Sequence, residues 1–276
     1  TSIYVAFKVK NSPNKLLENT SVVIWTTTPW TIPGNRAIAF GDSIDYCIFR
    51  VQESKNNLIK DNKYLVAKSL LEEVCERCDI SKFELVKEIK GEELNNTICY
   101  HPFSKIGFDY DVPLLKAAFV EDSEGTGFVH IAPCYGEDDY NLALDNNIVI
   151  KDIVKDDGCY RDNTPVFAGI HVFKAHLSVI EKLEEQSKLL GSREYRHSYP
   201  HSWRSKKPII YRTTPQWFIS MKSNNLKDKA MQGIENTTWI PKSSKNRIQS
   251  MVENRPDWCV SRQRAWGVPL TIFINK

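Results

Sequence analysis

At 276 residues, 41% apolar and 26% charged, the chain has the composition of an ordinary soluble globular protein with room for a sizeable core. No apolar run approaches the roughly 18 residues needed to cross a bilayer, and no charged-then-apolar leader opens the sequence, so a cytoplasmic protein with no membrane association is expected. A net charge of +3 is too small to announce a nucleic-acid binder, and seven scattered cysteines, an odd number, read as reduced thiols.

The first sixty residues read as short strands, "YVAFKVK", "SVVIW", "RAIAF" and "DYCIFRV", separated by Asn, Pro, Gly and Asp. From Lys63 to Cys78 the period changes: Leu65, Leu70, Leu71, Val74 and Cys75 share one face of an expected amphipathic helix. Cys75 and Cys78 make a C-x-x-C without matching soft ligands elsewhere, so they are read as part of that helix and not as a metal site. Strands follow at "TICY", "AAFVED" and "GFVHIA", then a short helix from about Asp138. A longer helix is expected over Val172 to Leu190, with Val172, Phe173, Leu177, Ile180 and Leu183 on one face and Gly191 as its stop.

Beyond Gly191 the stretch "REYRHSYPHSWRSKKPIIYR" interleaves six Arg or Lys with Tyr195, Tyr199, Trp203 and Tyr211. Cations for phosphate and flat rings for bases suit an RNA-facing surface, and equally a solvated linker packed on a neighbour. His197 and His201 have the spacing of helical zinc ligands, but Pro200 between them argues against that helix.

Two stretches invite chemistry. In "IWTTTPWTIPGNRAIAF" a strand runs into a proline turn through Thr26, Thr27 and Thr28, whose hydroxyls can bond nearby backbone or hold a water and an oxyanion. In "GTGFVHIAPCYGEDDYNLAL" a strand carries His130 to its end, Pro133 breaks it, and Asp138 and Asp139 open a helix. A carboxylate in a first helical turn is held ionised and can pair with an ammonium group, although such residues more often only cap. Histidine, turn and acidic helix start within ten residues have the strand-end geography of a site. No nucleophile elbow, HExxH, Walker loop or GxGxxG is present.

Taken together, "WTTTPWTIPGNRAI", "GTGFVHIAPCYGEDDY", "YPHSWRSKKPIIYRTTPQWFIS" and "RPDWCVSRQRAWGVPL" resemble successive signatures of the isoleucyl-tRNA synthetase family, in that family's order. The resemblance implies the editing (CP1) domain inserted into the class I catalytic domain, with the chain returning to the catalytic fold at "WGVP". The implied fold is an α/β editing domain centred on a β-barrel with peripheral helices, of the type shared by valyl, isoleucyl and leucyl enzymes. Its core would span 16–190, with 1–15 and 191–276 as stem segments. The HIGH and KMSKS signatures are absent and "KSSKN" (242–246) reads as a surface loop. ATP and Mg would therefore belong to the parent enzyme, and no cofactor or metal is expected for this part. Thr28 and Trp30 stand where valyl and leucyl enzymes have an arginine and an acidic residue, which favours the isoleucine type over a valyl or leucyl relative.

The resemblance implies hydrolysis of mischarged valyl-tRNA(Ile), with valyl-adenylate as a further substrate left open. The tRNA(Ile) 3′ end and the remainder of the synthetase in cis are the implied partners, and a monomer is expected. By motif position Asp139 would pair with the substrate's α-ammonium and His130 would gate the side-chain pocket. Thr26, Thr27, Thr28 and Asn35 would hold the terminal adenosine and the water, and Trp25 would wall the pocket. Cys134 and Tyr135 depart from the Gly-His of many relatives, and Ser202 and Ser205 from a C-x-x-C. The rival reading is a tRNA-docking module without catalysis.

Overall fold

The computed structural model describes residues 1–263 and 267–273. Trp266 of the "WGVP" signature lies outside them. The chain forms two units, Thr1–Thr213 and Thr214–Lys276.

The first unit follows from runs of β-branched and aromatic residues broken by turn formers. In chain order it contains β1 (Ser2–Asn11), β2 (Thr20–Thr26), β3 (Ala37–Phe40), β4 (Asp45–Ser54), β5 (Lys63–Ala67) and α1 (Leu71–Arg77). There follow β6 (Ile80–Lys90), β7 (Ile98–Tyr100), β8 (Asp111–Lys116), β9 (Phe128–Ile131), α2 (Glu137–Asp145), α3 (Val172–Glu185) and β10 (Leu189–Arg193). The sheet runs β6-β4-β5-β2-β1-β7-β8-β3-β9, with β10 also on β1. The pairs β2/β5 and β3/β8 are parallel and the others antiparallel. The mixed α/β architecture is the expected one. Among the described residues the strand pairings run from β6 to β9 without one that joins these two, while β9 also lies against β2.

Several boundaries differ from the sequence reading. Residues 1–15, expected in a stem, contain β1, which pairs with β2, β7 and β10 and is buried on both faces from Ser2 to Phe7. The expected helix from Lys63 is split: Leu65 lies in β5 against Ile48 and Val22, and only Leu71–Arg77 is α-helical. "AAFVED" forms a turn after β8. In α3 the buried stripe is Val172, Ala175, Val179 and Leu183, while Phe173 and Leu177 are 44% and 68% exposed. Gly191 does not end that helix. It pairs with Tyr4 in β10, where a Cβ would sit 3.0 Å from Cys78 Cα.

Gly127 fixes how the chain enters β9. Its φ is +75°, and a Cβ there would lie 2.4 Å from Ala67 Cβ. Next to it Ala67 N–H donates to Thr126 O (2.8 Å), and the buried Tyr46 hydroxyl donates to Gly127 O (2.8 Å) while accepting from Gly41 N–H (2.9 Å). A left-handed residue so closely packed has no room for a side chain.

The second unit pairs β11 (Phe218–Ile219) with β12 (Trp258–Cys259) and carries α4 (Leu226–Glu235) and α5 (Ser243–Glu253), which pack on each other. "KSSKN", expected as a loop, is the start of α5.

Gly127→Ala should lower stability by about 1–3 kcal/mol, through a strained left-handed alanine and the contact with Ala67. Chemical denaturation of the two proteins measures it, and an unchanged midpoint would contradict this account of the β9 entry.

Candidate active site

Between β2 and β3 the chain makes a tight 3-10 turn, Pro29–Gly34, whose six residues are all buried. A buried turn needs donors beyond those of its own backbone, which here reaches Ile32 O from Asn35 N–H (3.0 Å). Three side chains supply the donors: Tyr160 hydroxyl to Trp30 O, His101 Nε2–H to Ile32 O (3.0 Å) and Tyr110 hydroxyl to Asn35 O (2.9 Å). His101 Nδ1 accepts from Phe103 N–H (3.1 Å), which leaves its proton on Nε2, where the carbonyl needs it.

His130 stands opposite this turn, brought there by the β3/β9 register that pairs it with Ile38. Thr31 Oγ1 donates to Thr28 O (2.8 Å), so it accepts from His130 Nε2–H (2.9 Å). The amide Nδ2 of Asn35 donates to Ala37 O and to His130 Nδ1, both at 2.8 Å. Both ring nitrogens are therefore engaged, and one tautomer is selected. Burial lowers the imidazole pKa to about 3, so the ring is neutral at physiological pH. It is a fixed wall with no free nitrogen for proton transfer.

Asp139 lies in the first turn of α2. Its Oδ2 accepts from Ala132 N–H (2.7 Å), and the carboxylate folds close over Gly136, where a Cβ would be 3.0 Å from Oδ1. Burial is the main cause that raises its pKa to about 6. The bond from Ala132 opposes that shift, and the charge of Asp138 adds to it.

These groups surround a hollow of about 300 Å³, lined by Thr26, Thr28, Trp30, Thr31, His130 and Asp139, among others. Asp139 is the one carboxylate of its lining. Thr26 Oγ1 accepts from Thr28 N–H (3.0 Å), which leaves the Thr26 hydroxyl proton to donate. A chamber with one anion, hydroxyl groups and an immobile apolar wall can hold a small cationic, apolar group beside a polarisable carbonyl.

The structure brings Thr26, Thr28, His130 and Asp139 together. Thr27 faces a second hollow beyond Thr28 and Trp30. Asn35 is wholly buried behind His130, positioning the ring instead of reaching the chamber. Trp25, expected as a wall, lines neither hollow and packs edge-on against Tyr195 at 5.3 Å. Its place is taken by Trp30 and Tyr135, whose rings meet at 5.0 Å. Neither Trp30 nor Thr31 is singled out in the sequence as lining the pocket, whereas Tyr135, expected at its rim, does line it. The signal for Thr31 was the Thr28 to Thr31 spacing of a turn that closes by a side-chain bond to the i−3 carbonyl. Ser202 and Ser205, at the departure from C-x-x-C, close a turn through Ser205 N–H donating to Ser202 Oγ (3.2 Å).

A chain with this sheet and this chamber belongs to the class I tRNA synthetases: the family model described as "tRNA synthetases class I (I, L, M and V)" matches residues 35–276. Among individual proteins it is 51% identical over 275 residues to the isoleucine-tRNA ligase of Pelagibacter ubique (strain HTCC1062), covering 100% of this chain and 30% of that protein. It is 43% identical over 292 residues to the isoleucine-tRNA ligase of Gluconobacter oxydans (strain 621H), again covering 100% of this chain and 30% of the relative. The fold is like that in the crystal structure of GlLeuRS-CP1, with a TM-score of 0.55 and 13% identity over 71% of this chain and 100% of that one.

Two buried histidines link this site to acid stability. His101 and His130, each with a pKa near 3 in the fold, stay neutral there while the unfolded chain protonates them below about 6.5. Their stabilisation is complete above that value and is lost as pH falls from it toward 3. Asp139 acts oppositely, since its raised pKa means that the fold holds a proton near pH 5 which the unfolded chain has released. Unfolding at pH 5 should therefore take up about one proton net from these three groups, and Asp139→Asn should raise the uptake by about one. The pH dependence of the denaturation free energy reads it, and equal slopes for the two proteins would contradict the raised Asp139 pKa.

Proposed function

We propose that this chain is the editing module of an isoleucine-type synthetase, hydrolysing the ester of valine to tRNA(Ile). The observation that carries the reading is the single chamber in which the Asp139 carboxylate, the Thr26 and Thr28 hydroxyls and the locked His130 ring converge. The need follows from a limit on recognition. One methylene changes binding by only about 1–3 kcal/mol, a magnitude for which this class of enzyme is the standard illustration, so a second chamber must remove what the first admits.

In the proposed complex the valine ammonium pairs with the free oxygen of Asp139 and the side chain rests against His130. Water attacks the ester carbonyl: a C–O bond to water forms, the C–O bond to the ribose breaks, and the water's proton passes to the leaving ribose oxygen. The Thr26 and Thr28 hydroxyls supply donors for the water and the developing oxyanion. An ester is already activated, so positioning and electrostatics suffice, with no covalent nucleophile or cofactor required. Valine fits and isoleucine does not, because a ring held by two hydrogen bonds cannot swing aside for the extra methylene. The rest of the synthetase and the tRNA 3′ end are the proposed partners, in the cytoplasm.

Preformed valyl-tRNA(Ile) and isoleucyl-tRNA(Ile), incubated with the protein, test the reading: valine should be released and isoleucine retained. Retention of valine with tRNA still bound would favour a docking module instead. Asp139→Asn should slow valine release by about a hundredfold or more, through loss of a buried charged partner. For the unsubstituted protein kcat/KM should rise with pH through about 6, as Asp139 ionises. A flat profile would show that this carboxylate does not meet the substrate. His130→Ala, if its thermal midpoint shows it folded, should release isoleucine as well, and preserved discrimination would count against the wall.

A further inference from the structure

The loop between α2 and α3 folds back on itself at Val154, which bridges to Tyr160, and brings Asp152 to the phenol of Tyr135. The Tyr135 hydroxyl donates to Asp152 Oδ1 (3.4 Å) and accepts from Ile153 N–H (3.3 Å). Neither partner lines the chamber, so the polar end of the side chain is engaged outside the space that the residue bounds. Burial raises the phenol's pKa, which keeps it a donor. The ring is confined as well. It meets Trp30 edge-on at 5.0 Å, and a Cβ on Gly34 would come within 2.7 Å of its Cε2. Only a glycine at the end of the buried turn lets the tyrosine lie there.

Asp152 is itself held. Its Oδ1 also accepts from Val154 N–H (3.0 Å), and its Oδ2 accepts from the guanidinium groups of Arg161 (2.9 Å) and Arg212 (3.1 Å). Arg212 further donates to Val154 O (3.2 Å) and pairs with Asp156. With side chains only 12% and 18% exposed, Arg212 and Asp152 form a sheltered pair, and removing one partner leaves a poorly solvated charge on the other. One residue further on, Thr213 N–H donates to Cys134 O (2.9 Å), beside Tyr135 in the chain. Residues 212–213 are thus fastened to the tyrosine from two directions, through Asp152 and through Cys134.

We propose that Tyr135 is a size-determining wall of the chamber and that Arg212, acting through Asp152, is the positioning residue that holds it there. The inference rests on the hydrolase reading above and adds a second specificity element beside His130. A ring bounded by Trp30 and Gly34 and tied at its hydroxyl cannot swing aside for a larger side chain without breaking the phenol's bonds or overlapping the turn. His130 is fixed through its ring nitrogens and Tyr135 through its phenol. A chamber with two unyielding walls turns one extra methylene into overpacking, where a single fixed wall would let the guest shift.

Valine and isoleucine, each in amide linkage to 2′-amino-2′-deoxyadenosine, are non-hydrolysable probes of the wall. Calorimetric titration should show the valyl probe bound about fivefold or more tightly than the isoleucyl one, the scale of one methylene forced against a rigid surface. Tyr135→Ala should bring that ratio close to one by admitting the isoleucyl probe. Where the alanine variant does not fold, Tyr135→His, a smaller change, carries the same expectation. Tyr135→Phe keeps the ring and cuts the tether, and should lower the ratio partway; Arg212→Met should do the same, and Arg212→Lys, which keeps the charge, should lower it less. The double variant of Tyr135→Phe and Arg212→Met should lose no more than either single one, because both act through one tether. A purely structural Arg212 would lower the thermal midpoint and leave the ratio in place, which would overturn the positioning role. Equal binding of the two probes by the unsubstituted protein, or an unchanged ratio in Tyr135→Ala, would overturn the wall. Valyl-tRNA(Ile) left intact by a protein that still discriminates the probes through Tyr135 would sink the hydrolase reading and leave the wall standing.

Discussion

The neutral ring of His130, held on one side by Asn35 and on the other by Thr31, is the contact on which the site depends. It joins the end of β9 to the buried turn after β2 and its exit into β3, 99 and 95 residues earlier in the chain. Each hydrogen bond contributes only about 1 kcal/mol net, yet breaking one leaves a polar atom unsatisfied where no water reaches, at about 1–3 kcal/mol. The ring is therefore held less by the strength of its bonds than by the cost of any other orientation. Register is part of the same constraint. His130 faces Ile38 across the β3/β9 pair, and a one-residue slip would turn the imidazole to the opposite face of the sheet.

The turn is constrained from behind in the same way. A segment with two prolines, Pro29 and Pro33, has fewer backbone donors of its own, and burying it leaves carbonyls to be met by side chains. Tyr160, His101 and Tyr110 meet them from segments far along the chain. His101 sits among Phe7, Phe103, Phe108 and Tyr110, with Phe108 stacked on it at 5.1 Å. The core and the chamber are thus one hydrogen-bonded structure, and the acid sensitivity of the fold and the geometry of the site share a cause.

Much of this was legible in the residues. The strands around "YVAFKVK", "SVVIW" and "DYCIFRV" declared themselves by composition, and the strand, histidine, turn and acidic helix start of 125–144 located one side of the chamber. Other features lie beyond local pattern. Leu65 and Leu71 carry the same apolar signal, but pairing with β2 and β4 made a strand of the first segment. Phe173 and Leu177 fit a helical face as well as Ala175 does, and only the position of the sheet and turn decides which stripe is buried. Trp25 and Trp30 are equally apolar. Which one walls the chamber depends on the direction Trp25 takes at the end of β2 and on the 3-10 geometry beyond it. Asn35 was recognised as belonging to the site, but that it acts through His130 requires coordinates.

Burial makes the chamber's chemistry coherent. The desolvation that raises Asp139 to about 6 is incurred when the protein folds, before any cation arrives. An ammonium entering the chamber then meets a carboxylate already stripped of most of its water, and their attraction is screened less than it would be at the surface. The same cation favours the ionised form, so ligand binding near pH 6 must release a proton from Asp139. The burial that gives Asp139 its grip makes His130 useless as a base, because a neutral imidazole with a pKa near 3 and both nitrogens engaged cannot take up a proton. In the proposed complex, charge recognition and steric exclusion therefore fall to different residues of one dry environment. In the proposed reaction, bond cleavage is left to a water placed among the threonine donors.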